Sequence, residues 1–149
     1  MMDLQTDLRE FIELLLSKKV EFLVVGAHAV AFHGHPRLTG DIDFLIRLTP
    51  ENAERLEQVC SAFGFSGPPF IASEFLKAGQ TFQLGRQPNR IDILTSISGI
   101  ATDEAWERKV RGKLASLEVF YISKPDLIQN KRATGRLKDL ADADILSRR

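Results

Sequence analysis

The stretch FLVVGAHAVAFHGHPRLTGDIDFLIRL, Phe22 to Leu48, decides how the rest of the chain is read. It opens with the apolar run Phe22-Leu23-Val24-Val25, stops on Gly26, and continues into Ala27 to Phe32, a short run with helical potential. A turn-rich piece, Gly34 to Gly40, leads to Asp41-Ile42-Asp43-Phe44-Leu45-Ile46, a second apolar run with two carboxylates at its head. Residues two apart in a strand share a face, so Ile42, Phe44 and Ile46 point one way and Asp41 and Asp43 the other. Two like charges 4 Å apart repel by about 1 kcal/mol in water, and by several times that where the dielectric falls. A fold keeps such a pair most readily with a cation between them.

A third acid joins them. Arg90-Ile91-Asp92-Ile93-Leu94 reads as a strand in which Asp92 opposes a buried isoleucine face, and aspartate is disfavoured in strands. With the Asp92 strand beside the Asp41-Asp43 strand, three carboxylates converge on one sheet edge. Hard oxygen ligands of this kind suit Mg²⁺ or Mn²⁺ together with substrate phosphate, and paired ions can activate a hydroxyl and stabilise a leaving phosphate oxygen. The competing reading is three acids exposed at strand ends.

The other elements follow from periodicity and punctuation. Leu4, Leu8, Phe11, Ile12 and Leu15 predict a first helix, with Asp7 and Glu10 as a capping box. Thr49-Pro50 opens a helix over Pro50 to Phe63 that stops at Gly64. Ser73 to Lys77 forms a short helix, and Thr81 to Leu84 and Arg90 to Ile97 are strands joined by Gly85 to Asn89. A helix over Thr102 to Val110, a strand over Leu117 to Ile122 and a helical end over Pro125 to Arg149, broken at Gly135, complete the chain. The expectation is a single α/β (α+β) domain over 1–149, a mixed sheet flanked by helices with a C-terminal helical segment from about 124.

At 149 residues the chain can bury a core without staples. Its 20 basic and 20 acidic residues balance, so bulk charge points to neither nucleic acid nor membrane. The one cysteine, Cys60, excludes an internal disulfide and suits a reducing compartment. The acidic N-terminus does not read as a signal peptide, and no apolar run reaches spanning length. A cytoplasmic, membrane-free protein is expected.

Gly26, between a strand and a helical run, lets backbone N–H groups approach a ligand. At this point Val25-Gly26-Ala27 followed by Asp41-Ile42-Asp43 resembles the nucleotidyltransferase signature of the DNA polymerase β superfamily, with Asp92 as its later third acid. The string Gly26 to Gly34 with Arg37, Thr39, Asp41 and Asp43, and the tail Asp126-Leu127-Ile128, Lys131-Arg132, Lys138-Asp139-Leu140 and Asp142, are similar to small stand-alone bacterial and archaeal members, some of them parts of toxin–antitoxin or phage-defence systems. The resemblance implies a nucleotidyltransferase-like fold. It implies NTP as substrate, Asp41 and Asp43 as metal ligands, and Asp92 as a third ligand assisting the attacking hydroxyl. It also implies a triphosphate cradle from Gly26 and the Ala27 backbone, with Lys131 as a phosphate-side charge. Ala27 stands where many members carry Ser or Gly, which removes a hydroxyl contact to phosphate. The acceptor (RNA, protein or small molecule) and any cognate toxin or antitoxin partner are left unspecified.

Several residues admit two readings. Arg37 and Thr39 are either within reach of a triphosphate or an ordinary loop. His28, His33 and His35 invite zinc, but His28 and His33 are five apart and do not face together on one helix. Lys131, Arg132, Arg136 and Lys138 read by default as a solvated helix face and otherwise as a phosphate- or RNA-binding patch. Asp139 and Asp142 are placed beside Lys138 or Lys131, and Trp106 at a core edge. Two other functions use the same acids: a nucleotide-holding, antitoxin-like module without turnover, and a metal phosphohydrolase.

Overall fold

The computed structural model describes residues 4–36, 40–86 and 89–148, with the side chains of residues 4 and 5 left out. Along the chain run α1 (Leu4–Ser17), β1 (Phe22–Val25), α2 (Gly26–Phe32), β2 (Ile42–Ile46), α3 (Pro50–Ala62), α4 (Ala72–Phe75), β3 (Thr81–Leu84), β4 (Ile91–Leu94), α5 (Thr102–Glu107), β5 (Val110–Leu114), β6 (Leu117–Tyr121), α6 (Lys124–Thr134) and α7 (Leu137–Ser147). The strands form one sheet of order β3-β4-β2-β1-β6-β5. β2 runs parallel to β4 and β1 parallel to β6, while β1–β2, β3–β4 and β5–β6 are antiparallel, so the sheet is mixed as expected.

β1 is buried along its whole length, which explains an uninterrupted apolar run where a half-exposed strand would alternate. On the side of the sheet that Phe22 and Phe44 share, the two rings meet edge to face at 5.3 Å, and Phe11 of α1 stacks on Phe44 at 5.9 Å. Phe11 also meets Phe63 at the end of α3. Asn52, wholly buried on α3, ties the start of β1 to the end of β2. Its amide donates to the Glu21 and Arg47 carbonyls and accepts from the Glu21 N–H. Thr49 caps α3 and Ser123 caps α6, each followed by a first-turn proline, and Gly135 closes α6 in the left-handed region at φ +72°.

Three expectations need correction. α1 already begins at Leu4, so Asp7 lies inside its first turn and is not a capping residue. The helix expected to reach Val110 ends at Glu107, and Val110–Leu114 is a strand, β5, that the pattern Val-Arg-Gly-Lys-Leu does not announce. Its turn into β6 uses Ala115 at φ +52° and Ser116 at φ +70°, the two left-handed residues of a tight hairpin, without the Asn-Gly that normally signals one. β4 ends at Leu94 rather than at Ile97. There the chain turns through Thr95, whose hydroxyl accepts from the Gln80 N–H, into a small bridge between Ile97 and Ile100.

Candidate active site

Parallel pairing of β2 and β4 puts Asp43 directly opposite Asp92, with Ile42 opposite Ile91 and Phe44 opposite Ile93. Both strands are interior to the sheet, so the acids gather at its middle and not on a sheet edge as expected. Asp41 sits one residue before β2. Its Oδ1 accepts the Arg90 backbone N–H at 2.9 Å, and the Ile42 N–H returns a bond to the Arg90 carbonyl at 2.9 Å. That pair of bonds fixes the chain just ahead of each strand, and hence the spacing of the carboxylates.

Gly26 comes at the end of buried β1 and turns into α2 at φ +68°. A Cβ at this position would lie 2.1 Å from Asp43 Oδ2, so glycine is required by the backbone conformation and by the carboxylate resting on it. Burial first, then the charge of Asp92 and a hydrogen bond between the two carboxyls, pushes Asp43 up from 3.8 to about 6; Lys131 acts in the opposite direction and Asp41 adds to the rise.

Facing the acids across the cleft are α6 and the start of α7. The Lys131 ammonium is 3.1 Å from Asp139 Oδ1 and 3.4 Å from Asp142 Oδ2. All three residues are buried, Lys131 with only 8 % of its surface exposed, so Lys131 does not belong to a solvated helix face. Burial alone would raise the Asp139 carboxyl. Hydrogen bonds from Thr134 and Lys131, the Lys131 charge and the Arg136 guanidinium hold it below its ordinary value instead. The loop after β4 forms a further wall, pinned to α6 by the Gln129 amide on the Gly99 carbonyl at 2.7 Å and the Asn130 amide on the Ser98 carbonyl at 2.9 Å.

Asp41, Asp43, Asp92, Gly26, Ala27 and Lys131 therefore line one cleft of about 660 Å³. Arg136 and Lys138 border it too, whereas Arg132 lines a separate hollow with Ile128 and Leu146. Arg37 and Thr39 lie outside the described residues. The histidines do not line the cleft: His33 Nε2 is bonded to the Ile122 carbonyl at 2.7 Å, and burial lowers the His28 pKa. Trp106 packs edge-on against Phe120 with the Lys109 ammonium 4.3 Å from its ring centre, as suits a residue at the rim of a core.

One residue of the cleft is not apparent from the sequence reading. Arg90 grips Asp92 with both arms of its guanidinium, Nε to Oδ1 at 2.7 Å and Nη2 to Oδ2 at 3.1 Å, and lies 3.8 Å from Asp41. The available signal was its position two residues before Asp92, which puts both on one side of an extended chain. With Asp92 turned to Arg90, no group of three His, Cys, Asp or Glu among the described residues surrounds a common cation position. The donor chemistry still fits Mg²⁺ or Mn²⁺. The three acids offer only hard oxygens, two of them from paired strands, and the burial and neighbouring negative charge that raise Asp43 are what a divalent ion offsets.

No protein-family model and no curated protein sequence matches the chain. Among solved structures, a provisionally assigned nucleotidyltransferase from Thermotoga maritima matches with a TM-score of 0.57 at 20 % identity, over 95 % of this chain and 88 % of that one. Among the described residues, no helix is long and apolar enough to cross a membrane. The six-stranded mixed sheet with its flanking helices is thus a nucleotidyltransferase-like fold.

Proposed function

We propose that this chain is a metal-dependent nucleotidyltransferase that moves a nucleoside monophosphate from an NTP to a hydroxyl on RNA, protein or a small molecule, releasing pyrophosphate. The observation that carries the reading is the opposed pair Asp43 and Asp92, with Asp41 beside them and Gly26 beneath, in a cleft whose far wall holds a buried lysine. Mg²⁺ or Mn²⁺ held by Asp41, Asp43 and Asp92 would neutralise phosphate charge and make the acceptor hydroxyl easier to deprotonate. The backbone N–H groups after Gly26 serve the triphosphate, and Lys131 supplies positive charge from the opposite wall. Asp92 takes the proton of the acceptor hydroxyl while the hydroxyl oxygen bonds to the α-phosphorus and the bond from that phosphorus to pyrophosphate breaks. The chain's own contribution is positioning and charge stabilisation.

A second reading, a nucleotide-holding or antitoxin-like module without turnover, is favoured by Ala27 in the glycine turn and by the hold of Arg90 on Asp92. Incubation with α-labelled NTP and Mg²⁺ over tRNA, protein and small hydroxyl acceptors separates the two. Metal-dependent transfer of label, lost in a folded Asp43→Asn variant, is expected. Transfer undiminished in that variant removes the nucleotidyltransferase reading, and NTP binding without transfer to any acceptor establishes the second.

A further inference from the structure

We propose that Arg90 is a built-in counter-ion of the carboxylate cluster, which a divalent cation must displace from Asp92, so that this residue sets how tightly the cleft binds metal. The inference rests on the metal-dependent reading above.

Arg90 is tied to two of the three acids. Its guanidinium takes both oxygens of Asp92 and approaches Asp41, while its backbone N–H and carbonyl hold Asp41 and Ile42. The fork thereby occupies one acceptor site on each oxygen of Asp92 and turns the carboxylate towards itself. A guanidinium in such a grip does not leave by losing its proton, since it stays charged throughout the accessible pH range. A divalent ion competes for the same oxygens with twice the charge of the fork. Lys131, another cation near Asp43 among the described residues, cannot play this part because Asp139 and Asp142 already hold it. Arg90 itself borders the cleft, so a guanidinium released from Asp92 is in place to meet an anionic group.

The consequence is the reverse of what a purely supporting arginine gives. Removing a supporting residue loosens the site and weakens metal binding. Removing a competitor frees Asp92 and makes the cluster more negative, so binding tightens. Hydrogen bonds between charged partners are strong enough that the expected gain is roughly ten- to hundredfold.

The test is Mn²⁺ binding to the full chain without nucleotide, followed by loss of the free-ion paramagnetic resonance signal, for wild type, Arg90→Gln and Arg90→Lys. Asp43→Asn, alone and added to Arg90→Gln, locates the ion. We expect Arg90→Gln to bind Mn²⁺ roughly ten- to hundredfold more tightly than wild type, and Asp43→Asn to abolish the gain. Arg90→Lys, which keeps a charge but cannot make the two-armed grip, should fall between them and stands in if the glutamine variant does not fold. Its melting temperature in EDTA should drop, with Mn²⁺ restoring it by more than it raises wild type. Asp43-dependent binding in wild type that neither Arg90 variant strengthens overturns this inference and leaves the metal-dependent reading in place. Absence of Mn²⁺ binding in wild type and in both Arg90 variants overturns the two together.

Discussion

Asp43 and Asp92 are register partners on adjacent parallel strands, each flanked by apolar residues that fix the strand's facing. Like charges directly opposite one another destabilise a sheet. The pair can also not slide apart, because a shift of one residue would turn Ile42, Phe44, Ile91 and Ile93 out of the core. Packing of the apolar face therefore holds together two carboxylates that oppose each other. Burial first, and the charge of Asp92 after it, raises Asp43 to about 6.

A stability prediction follows with a definite sign. The folded state protonates Asp43 more readily than the unfolded chain does, so this group costs stability as pH rises from 3.8 towards 6 and above. The shift corresponds to at most about 3 kcal/mol at pH 7. Asp43→Asn should therefore melt several degrees above wild type at pH 7 in EDTA, while losing nucleotidyl transfer. The difference should close as pH approaches 4. Thermal melts at four pH values check this, and an asparagine variant less stable than wild type at pH 7 contradicts it.

Gly26→Ala separates backbone strain from contact with the carboxylate. A left-handed alanine costs about 1–2 kcal/mol by itself. Gly135, at φ +72° with no atom within 4 Å of an added Cβ, supplies the matching control for Gly26 at φ +68°. Gly135→Ala should lower stability by that amount and keep transfer activity. Gly26→Ala should lower it further and abolish activity, because Asp43 must move. Equal effects of the two substitutions on melting and turnover would show that the contact with Asp43 is unimportant.

Part of this site is legible in the sequence. The facing of Asp43 and of Asp92 is legible because each interrupts an apolar run with a period of two, whereas the pairing of β2 with β4 that brings them together is set by the sheet. β5 escaped because Gly112 is there for a reason outside its own segment: an added Cβ would lie 2.5 Å from the Phe32 ring, which stacks on Tyr121 at 3.9 Å. The burial of Lys131 escaped for a related reason. Helical spacing shows which residues share a face, and the face of α6 is covered by α7 through Asp139 and Asp142, an arrangement set by tertiary packing. The grip of Arg90 on Asp92 is not legible in the sequence because an arginine at a strand start ordinarily faces solvent.

Lys131→Met tests whether the lysine is a structural ion as well as a charge for the cleft. Methionine fills similar volume but leaves Asp139 and Asp142 buried beside each other. Breaking a buried ion pair from one side costs about 3–5 kcal/mol, and less than that is expected here because Arg136 and Thr134 still hold Asp139. The melting temperature should fall accordingly, and Asp142→Asn in the same chain should recover part of the loss. A methionine variant as stable as wild type would place Lys131 in the cleft for chemistry alone.

Acid sensitivity should then separate the two walls of the cleft. Asp139 is held below its ordinary value by Thr134, Lys131 and Arg136 against the effect of its burial, so the unfolded chain protonates it first. Its contribution is complete above the unfolded value, near pH 4, and is withdrawn as pH falls through the lower folded value. Asp43 has the opposite slope over the higher range from 6 down to 3.8, where its protonation relieves the cost of a buried charge and, after it, the repulsion from Asp92. Asp139→Asn should therefore be less stable than wild type at pH 7 and converge on it below about pH 4. Asp43→Asn should start more stable and converge from the other side. Chemical denaturation at pH 7, 5, 4 and 3 reads both curves, and a gap between Asp139→Asn and wild type that persists undiminished at pH 3 would mean that the charge of Asp139 is not what stabilises the fold.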